Sequence, residues 1–331
     1  VKVLVTGATG FLGRHICRVL VEQGHAVQAM SRGGTQLPGT VAVVGDMLDR
    51  DSLAVAVEGC THVVHAAGRV SNDPDDARAL FELHVRGTRF LLEAAQAAGI
   101  EKVVVLSTSG TVAISEESAV LSEDSETPMH LIQQWPYYRS KLFAEEVALA
   151  ASTDAMPVVA LNPSLLLGPG DVTGESTKAV RMFLEDKVPA SPRGGLSFVD
   201  VRDVAQAVLA AFEHGRGGHR YLLGGANMSF ESFYRRLGQV ADKPYPLLRA
   251  PGVTKRLFEM FPKWGREGIG FGFGVDRVGL LQASHFWYLD DQKARDELAF
   301  VTRDPNITLR DTCADILYGS SRFAPPERLG L

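Results

Sequence analysis

The chain is poor in everything that would cross-link it or lodge it in a bilayer. Its three cysteines, Cys17, Cys60 and Cys313, are far apart, odd in number and outside any Cys-x-x-Cys or Cys/His spacing. That pattern excludes a disulfide framework, offers no metal site, and fits a reducing cytoplasm. No run reaches the about 18 uninterrupted apolar residues of a spanning helix. The first apolar segment, VKVLVTG, enters a glycine turn with no room for the parts of a secretory signal. Charge of one sign is scarce too: a formal net charge of -5 gives no basic surface for nucleic acid. A cytoplasmic protein with no integral membrane segment is expected.

What is present is alternation. At 331 residues the chain exceeds a usual single core, so a large α/β domain with a smaller lobe is expected. Short apolar runs at 1–6, 26–31, 41–45, 62–66, 102–107 and 157–161 predict strands, and periodic stretches at 11–23, 50–58, 74–98 and 136–151 predict helices. The strands are apolar on both faces, which calls for a doubly wound parallel Rossmann sheet with helices on both faces and a smaller C-terminal substrate lobe. Residues 1–165 are assigned to the cofactor-binding domain. Residues 166–331 are assigned mainly to the substrate lobe, with about 197–224 returning to the Rossmann core, since LSFVDVRDVAQAVLAAFEHG and RYLLGG read as strand, capped helix and strand. The helices at 74–98 and 136–151 are apolar nearly all round, which predicts a homodimer through them. Residues 251–287 mix aromatics with glycines and read equally as a lid over an apolar pocket or as an irregular packed lobe.

Chemistry begins after the first strand, at TGATGFLG. Gly7, Gly10 and Gly13 form G-x-x-G-x-x-G, which allows a tight turn and close backbone approach to a pyrophosphate seated on the N-terminus of the next helix. Thr9, Phe11 and Leu12 belong to the same turn. The second strand ends in Ser31-Arg32 with no carboxylate for a ribose 2′-hydroxyl. Arg32 could clamp a 2′-phosphate with its planar fork, so NADP(H) is expected over NAD(H). Further on, YYRSK places one of two adjacent tyrosines a turn from Lys141 on one helix face.

TGATGFLG, GDMLD at 45–49, HAAG at 65–68, STSG at 107–110, YYRSK and LNPSLLLGPGD at 161–171 together resemble the ordered motifs of the extended short-chain dehydrogenase/reductases, of the NAD-dependent epimerase/dehydratase type. The resemblance covers about residues 1–240. It is nearest the branch of dihydroflavonol reductases, 3β-hydroxysteroid dehydrogenases and hopanoid-associated epimerase-like proteins. It implies that Y-x-x-x-K falls on Tyr137 and Lys141, with Tyr138 a packing neighbour. The ammonium would lower the phenol from its ordinary value of about 10, and Lys141 would also hold the nicotinamide ribose.

The resemblance also implies that Ser109 orients the substrate oxygen, with Thr108 in that role if the alignment slips by one, and that Ser107 lies closer to the cofactor. Asp46 and Met47 would sit by the adenine, Ala66, Ala67 and Gly68 by the ribose, and Pro163 and Ser164 by the nicotinamide. One departure stands out: HVRGT carries His84 where the family usually has asparagine. A lone histidine is more often a satisfied core residue, so His84 stays outside the catalytic set.

The expected activity is NADP(H)-dependent reduction of a ketone or aldehyde of a mostly apolar small molecule, or oxidation of the alcohol. The alternative is a nucleotide-sugar epimerase or dehydratase with transient hydride transfer, and a non-catalytic NADP(H) sensor stands behind both.

Overall fold

The computed structural model describes residues 1–246 and 277–319. In chain order the elements are β1 (Lys2–Thr6), α1 (Phe11–Glu22), β2 (Ala26–Ser31), β3 (Val41–Val44), α2 (Arg50–Val57), β4 (His62–His65), α3 (Ala77–Phe81), α4 (Gly87–Ala97), β5 (Lys102–Leu106), β6 (Val120–Leu121), α5 (Met129–Ile132), α6 (Pro136–Ala150), β7 (Val158–Pro163), β8 (Leu165–Leu167), α7 (Lys178–Leu184), β9 (Gly195–Asp200), α8 (Val201–His214), β10 (Arg220–Leu223), β11 (Ala226–Ser229) and α9 (Phe230–Ala241). Two residues of strand, β12 (Tyr288–Leu289), and helices Arg277–Gln282, Gln292–Leu298 and Pro305–Tyr318 follow.

Seven strands form one parallel sheet in the order β10-β7-β5-β4-β1-β2-β3. The run of valines and leucines in these strands is what a sheet covered on both faces requires; β7 is buried along its whole length. One apolar core lies between the sheet and α1 and α8, and another between the sheet and α2, α4 and α6. The chain winds outward from β1 to β3, then crosses back to β4 on the other side of β1. The carboxyl ends of β1 and β4 therefore open onto the crevice at the switch point, where α/β sheets bind ligands.

The expected strands and helices appear within two residues of their sequence bounds, except that 74–98 is not one helix. It runs as a 3-10 turn (Pro74–Asp76), α3, a wide π turn over Glu82–Arg86, then α4. The hydroxyl of Thr88 bonds the carbonyl of His84 there, and the ring of His84 is drawn inward by two further bonds described below. A π turn inserts one residue, so it re-aims side chains without ending the helix.

A second, smaller core joins β8, β9 and β11 to α7, α9 and the helix Pro305–Tyr318. Asp200 caps α8 by accepting from Arg202 N at 2.9 Å, and Ser229 caps α9. Most of the aromatic and glycine-rich stretch at 251–287 lies outside the described residues. Trp287, within them, packs beside Trp135 and Tyr138. No helix among the described residues is long and apolar enough to cross a membrane.

Candidate active site

The cradle at the end of β1 is made by removing side chains. Gly7 has φ +66°, and a Cβ there would lie 2.6 Å from the backbone of Ala66 and Ala67. A Cβ on Gly13 would lie 2.1 Å from the Gly7 carbonyl oxygen, so β1, β4 and α1 can meet only with glycine at both positions. Gly10 N–H closes the turn onto the Gly7 carbonyl at 3.0 Å. Helix α1 starts at Phe11 with no side-chain cap and no acidic residue in its first turn, leaving its N–H groups and positive dipole end for an anion. Thr9 lends its carbonyl to Arg14 Nε, and Phe11 and Leu12 are half-buried at the helix start.

Around this cradle runs a chain of hydrogen bonds whose directions are fixed by the proton each hydroxyl has to give. Ala67 N–H donates to Thr6 Oγ1 at 3.3 Å, which leaves the Thr6 proton for His65 Nδ1 at 2.8 Å. His65 Nε2–H then faces Thr88 Oγ1 at 2.9 Å, and Thr88 donates to the His84 carbonyl. Arg69 N–H donates to His84 Nε2 at 3.1 Å, so Nδ1–H faces Ser140 Oγ at 2.8 Å, and Ser140 donates to the Tyr137 carbonyl at 2.8 Å. Burial pushes His65 down to about 3 and His84 down to about 2, with Lys141 adding to both. Both rings are neutral, fully bonded parts of the scaffold.

Pro136 opens α6 at its first turn, where a missing N–H costs nothing. Tyr137 and Lys141 share the face turned to the crevice. The Tyr137 ring meets His84 edge-on at 5.9 Å. Lys141 Nζ donates to the Leu106 carbonyl at the end of β5, at 2.6 Å. Tyr138 turns away: its ring lies so close to Gly110 that a Cβ there would be 2.3 Å from it, and it meets Trp135 edge-on and Trp287 at a tilt.

Burial pushes the Tyr137 phenol up to about 12 and the Lys141 ammonium down to about 8, while Glu145 pulls the lysine back up. The lowering of the phenol expected from Lys141 does not occur in this arrangement, because the ammonium is turned to the Leu106 carbonyl and desolvation dominates.

Ser109 is buried in a 3-10 turn, Ser109–Thr111, capped by Thr108. Ser107 is committed to the scaffold through its bond to Glu145. Pro163 ends β7, and the buried Ser164 hydroxyl has no partner among the described residues, as expected of a group that awaits a ligand. Asp46 turns its carboxylate to Leu48 N at 2.8 Å, and Met47 packs into the sheet core. Ser31 accepts from Thr35 N, and Arg32 is exposed on a glycine-rich turn. Gly68 lies under the His84 ring.

Sequence reasoning passed over Glu145, Asn162 and Arg220, which meet beneath the site. A carboxylate four residues after Lys141, on the same helix face, was the available signal. Among the described residues no cluster of metal-ligating side chains occurs. The glycine cradle, the open helix N-terminus, Lys141 and the orphan Ser164 hydroxyl fit a dinucleotide.

Comparisons with known proteins agree with this geometry. The model of the NAD dependent epimerase/dehydratase family matches residues 3–224. The protein named "Putative dihydroflavonol 4-reductase" of Synechocystis sp. is 31% identical over 95% of this chain and 93% of its own length. The crystal structure of gox2253 superposes with a TM-score of 0.82 at 27% identity, over 98% of both chains. MoeE5 in complex with UDP-glucuronic acid and NAD superposes with a TM-score of 0.73 at 25% identity, over 98% of this chain and 100% of its own.

These matches correct the expectation of NADP(H). The cofactor held in the similar structure is NAD. The expectation leaned on Arg32, whose guanidinium is exposed beside Gly33 and Gly34; an exposed arginine is a solvated group by default and does not by itself call for a 2′-phosphate.

Proposed function

The chain belongs to the NAD-dependent epimerase/dehydratase family, and on that premise we propose that it acts on a nucleotide sugar by transient oxidation, as an epimerase or dehydratase. Nicotinamide-dependent hydride transfer on a small molecule is the chemistry of the family. The finer reading is carried by one observation: the similar structure that is covered end to end holds a nucleotide sugar beside NAD. It favours the second of the two activities expected from sequence over net ketone reduction.

In this reading Gly7, Gly10, Gly13 and the N–H groups at the start of α1 bind the pyrophosphate of NAD, while Ala66, Ala67, Gly68, Lys141, Pro163 and Ser164 flank its nicotinamide half. NAD supplies a hydride acceptor. Tyr137 takes the proton of the substrate hydroxyl and later returns it, Ser109 holds the same oxygen, and Lys141 holds the nicotinamide ribose. The crevice at the carboxyl ends of β1 and β4 is where the cofactor and substrate would meet. Residues 1–165 form the cofactor domain, 166–331 mainly the substrate lobe, and helices near 74–98 and 136–151 pair two copies.

A second reading, net reduction of an apolar ketone with NADH, is supported by the Synechocystis relative's name. One experiment separates the two. Purified protein with NAD is given a panel of nucleotide sugars, and with NADH a panel of aromatic, steroidal and aliphatic ketones. Conversion of a nucleotide sugar to an isomer or dehydrated product, with no net change in NADH absorbance, is expected. Ketone-dependent loss of NADH without sugar conversion would overturn the epimerase reading.

A further inference from the structure

Glu145 stands on α6 one turn beyond Lys141 and is 1% exposed. An ionised carboxylate so buried costs several kcal/mol unless it is fully satisfied, and an apolar residue would fill the place more cheaply. One oxygen is satisfied by hydrogen bonds and the other by charge. Oε2 accepts from Ser107 Oγ and from Asn162 Nδ2 at 2.6 Å, with Thr111 Oγ1 at 3.1 Å, while Oε1 is ion-paired with Arg220 Nε at 2.9 Å and accepts no hydrogen bond among the described residues. These partners come from the ends of β5, β7 and β10 and from the turn that carries Ser109. The amide of Asn162 also donates to the Thr108 carbonyl at 3.1 Å, so the Ser109 turn is tied to Glu145 through both Thr111 and Asn162.

Glu145 and Lys141 also share an enclosed cavity of about 10 Å³, lined besides by His65, His84, Thr88 and Ser107, room for about one water. The groups that face Lys141 are Tyr137 and Glu145 from α6, His65 from β4 and His84 from the π turn, with Arg220 of β10 behind Glu145. The two histidines are neutral, and Glu145 is the only carboxylate among the described residues that line the cavity; it opposes the desolvation that drives the lysine towards its neutral amine.

We propose that Glu145 is a positioning residue for the reaction: it locks the Ser109 turn and the end of β7 against the Tyr137/Lys141 helix and keeps Lys141 an ammonium. The role rests on the hydride-transfer reading only for its consequence in turnover; its effect on Lys141 is independent of any substrate.

The test uses the full chain labelled with 13Cε-lysine, with the Lys141 resonance identified by its loss in Lys141→Arg and followed by NMR against pH. Glu145→Gln keeps the shape and removes the charge, and it lowers the proton affinity of Lys141 about tenfold or more. Arg220→Gln removes the opposing cation and shifts the midpoint the other way. An unmoved midpoint in Glu145→Gln, or shifts of the same sign in both variants, overturns the proposal. Should Glu145→Gln fail to fold, Glu145→Asp decides: drawing the carboxylate back by one methylene lowers the Lys141 midpoint, and an unmoved midpoint overturns the role. With a substrate in hand, Glu145→Gln lowers kcat and moves its alkaline limb while NAD affinity holds. If no substrate in the panel turns over, the reading of the reaction fails and the lysine titration still stands or falls by itself.

Discussion

The two halves of the site are built on opposite principles. The cradle at β1 works by absence: at Gly7 and Gly13 a single added carbon would strike backbone at 2.6 and 2.1 Å, and what it offers a ligand is backbone N–H groups. The end at α6 works by surplus: Tyr137, Lys141 and Glu145 lie along one helix, and the side chains of Ser107, Thr111, Asn162 and Arg220 converge on the last of them. The cradle can bind an anion at any ordinary pH, because peptide dipoles do not titrate. The α6 end stores its function in protonation states that burial has displaced, Tyr137 upward and Lys141 downward, and so must be stabilised by partners.

Breaking either half leaves the other standing. Tyr137→Phe removes the acid/base and keeps the fold, since the bond that anchors this turn uses the Tyr137 carbonyl. Turnover of the substrate found in the panel should fall about 10²–10⁴-fold, with NAD affinity unchanged by calorimetry; retained turnover would remove Tyr137 from its role. Gly13→Ala does the reverse. Overpacking against backbone costs about 1–3 kcal/mol, expected as a lowered Tm and weakened NAD binding, while the Lys141 titration stays put. Undiminished NAD affinity would mean the cradle is not the cofactor site.

The same contrast explains what could be read in the sequence. Glycines in a strand-turn-helix frame and Tyr137 with Lys141 one turn apart are local patterns, so both ends of the site were visible, as were the strands whose runs of Val and Leu announce burial on two faces. The support beneath α6 was not. Glu145 meets Ser107, Thr111 and Asn162 across 38, 34 and 17 residues, and only the strand order brings them together. The π turn at Glu82–Arg86 was equally hidden, because one extra residue in a helix leaves no mark on an apolar pattern already spread over all faces. Cofactor choice failed for a third reason: Arg32 was read by its chemistry alone, and its exposure decides how little that chemistry binds it.

His65 and His84 join the two halves, and they give the comparison a pH axis. Both are neutral in the fold, held at about 3 and about 2 by burial, and each reverts to about 6.5 in the unfolded chain. Between those values the unfolded state binds protons that the folded state does not, so stability falls as pH drops below about 6.5, by about 1.4 kcal/mol per pH unit for each ring. Denaturant melts from pH 7 to pH 4 should show that slope. His84→Asn should roughly halve the histidine contribution, since an amide can accept from Arg69 N and donate to Ser140 without taking up a proton. A slope unchanged in that variant would place the acid sensitivity elsewhere.

The smallest effect belongs to the residue that misled. Arg32→Ala alters an exposed side chain beyond the end of β2, whereas the proposed pyrophosphate contacts are made by backbone groups. NAD affinity should change by no more than about 0.5 kcal/mol, the ordinary range for a surface substitution. A tenfold loss would show that the guanidinium grips the adenosine half after all, and would make the cradle depend on a charged side chain as the α6 end does. The distinction between an end built from backbone and an end built from side chains would then fail at its first strand.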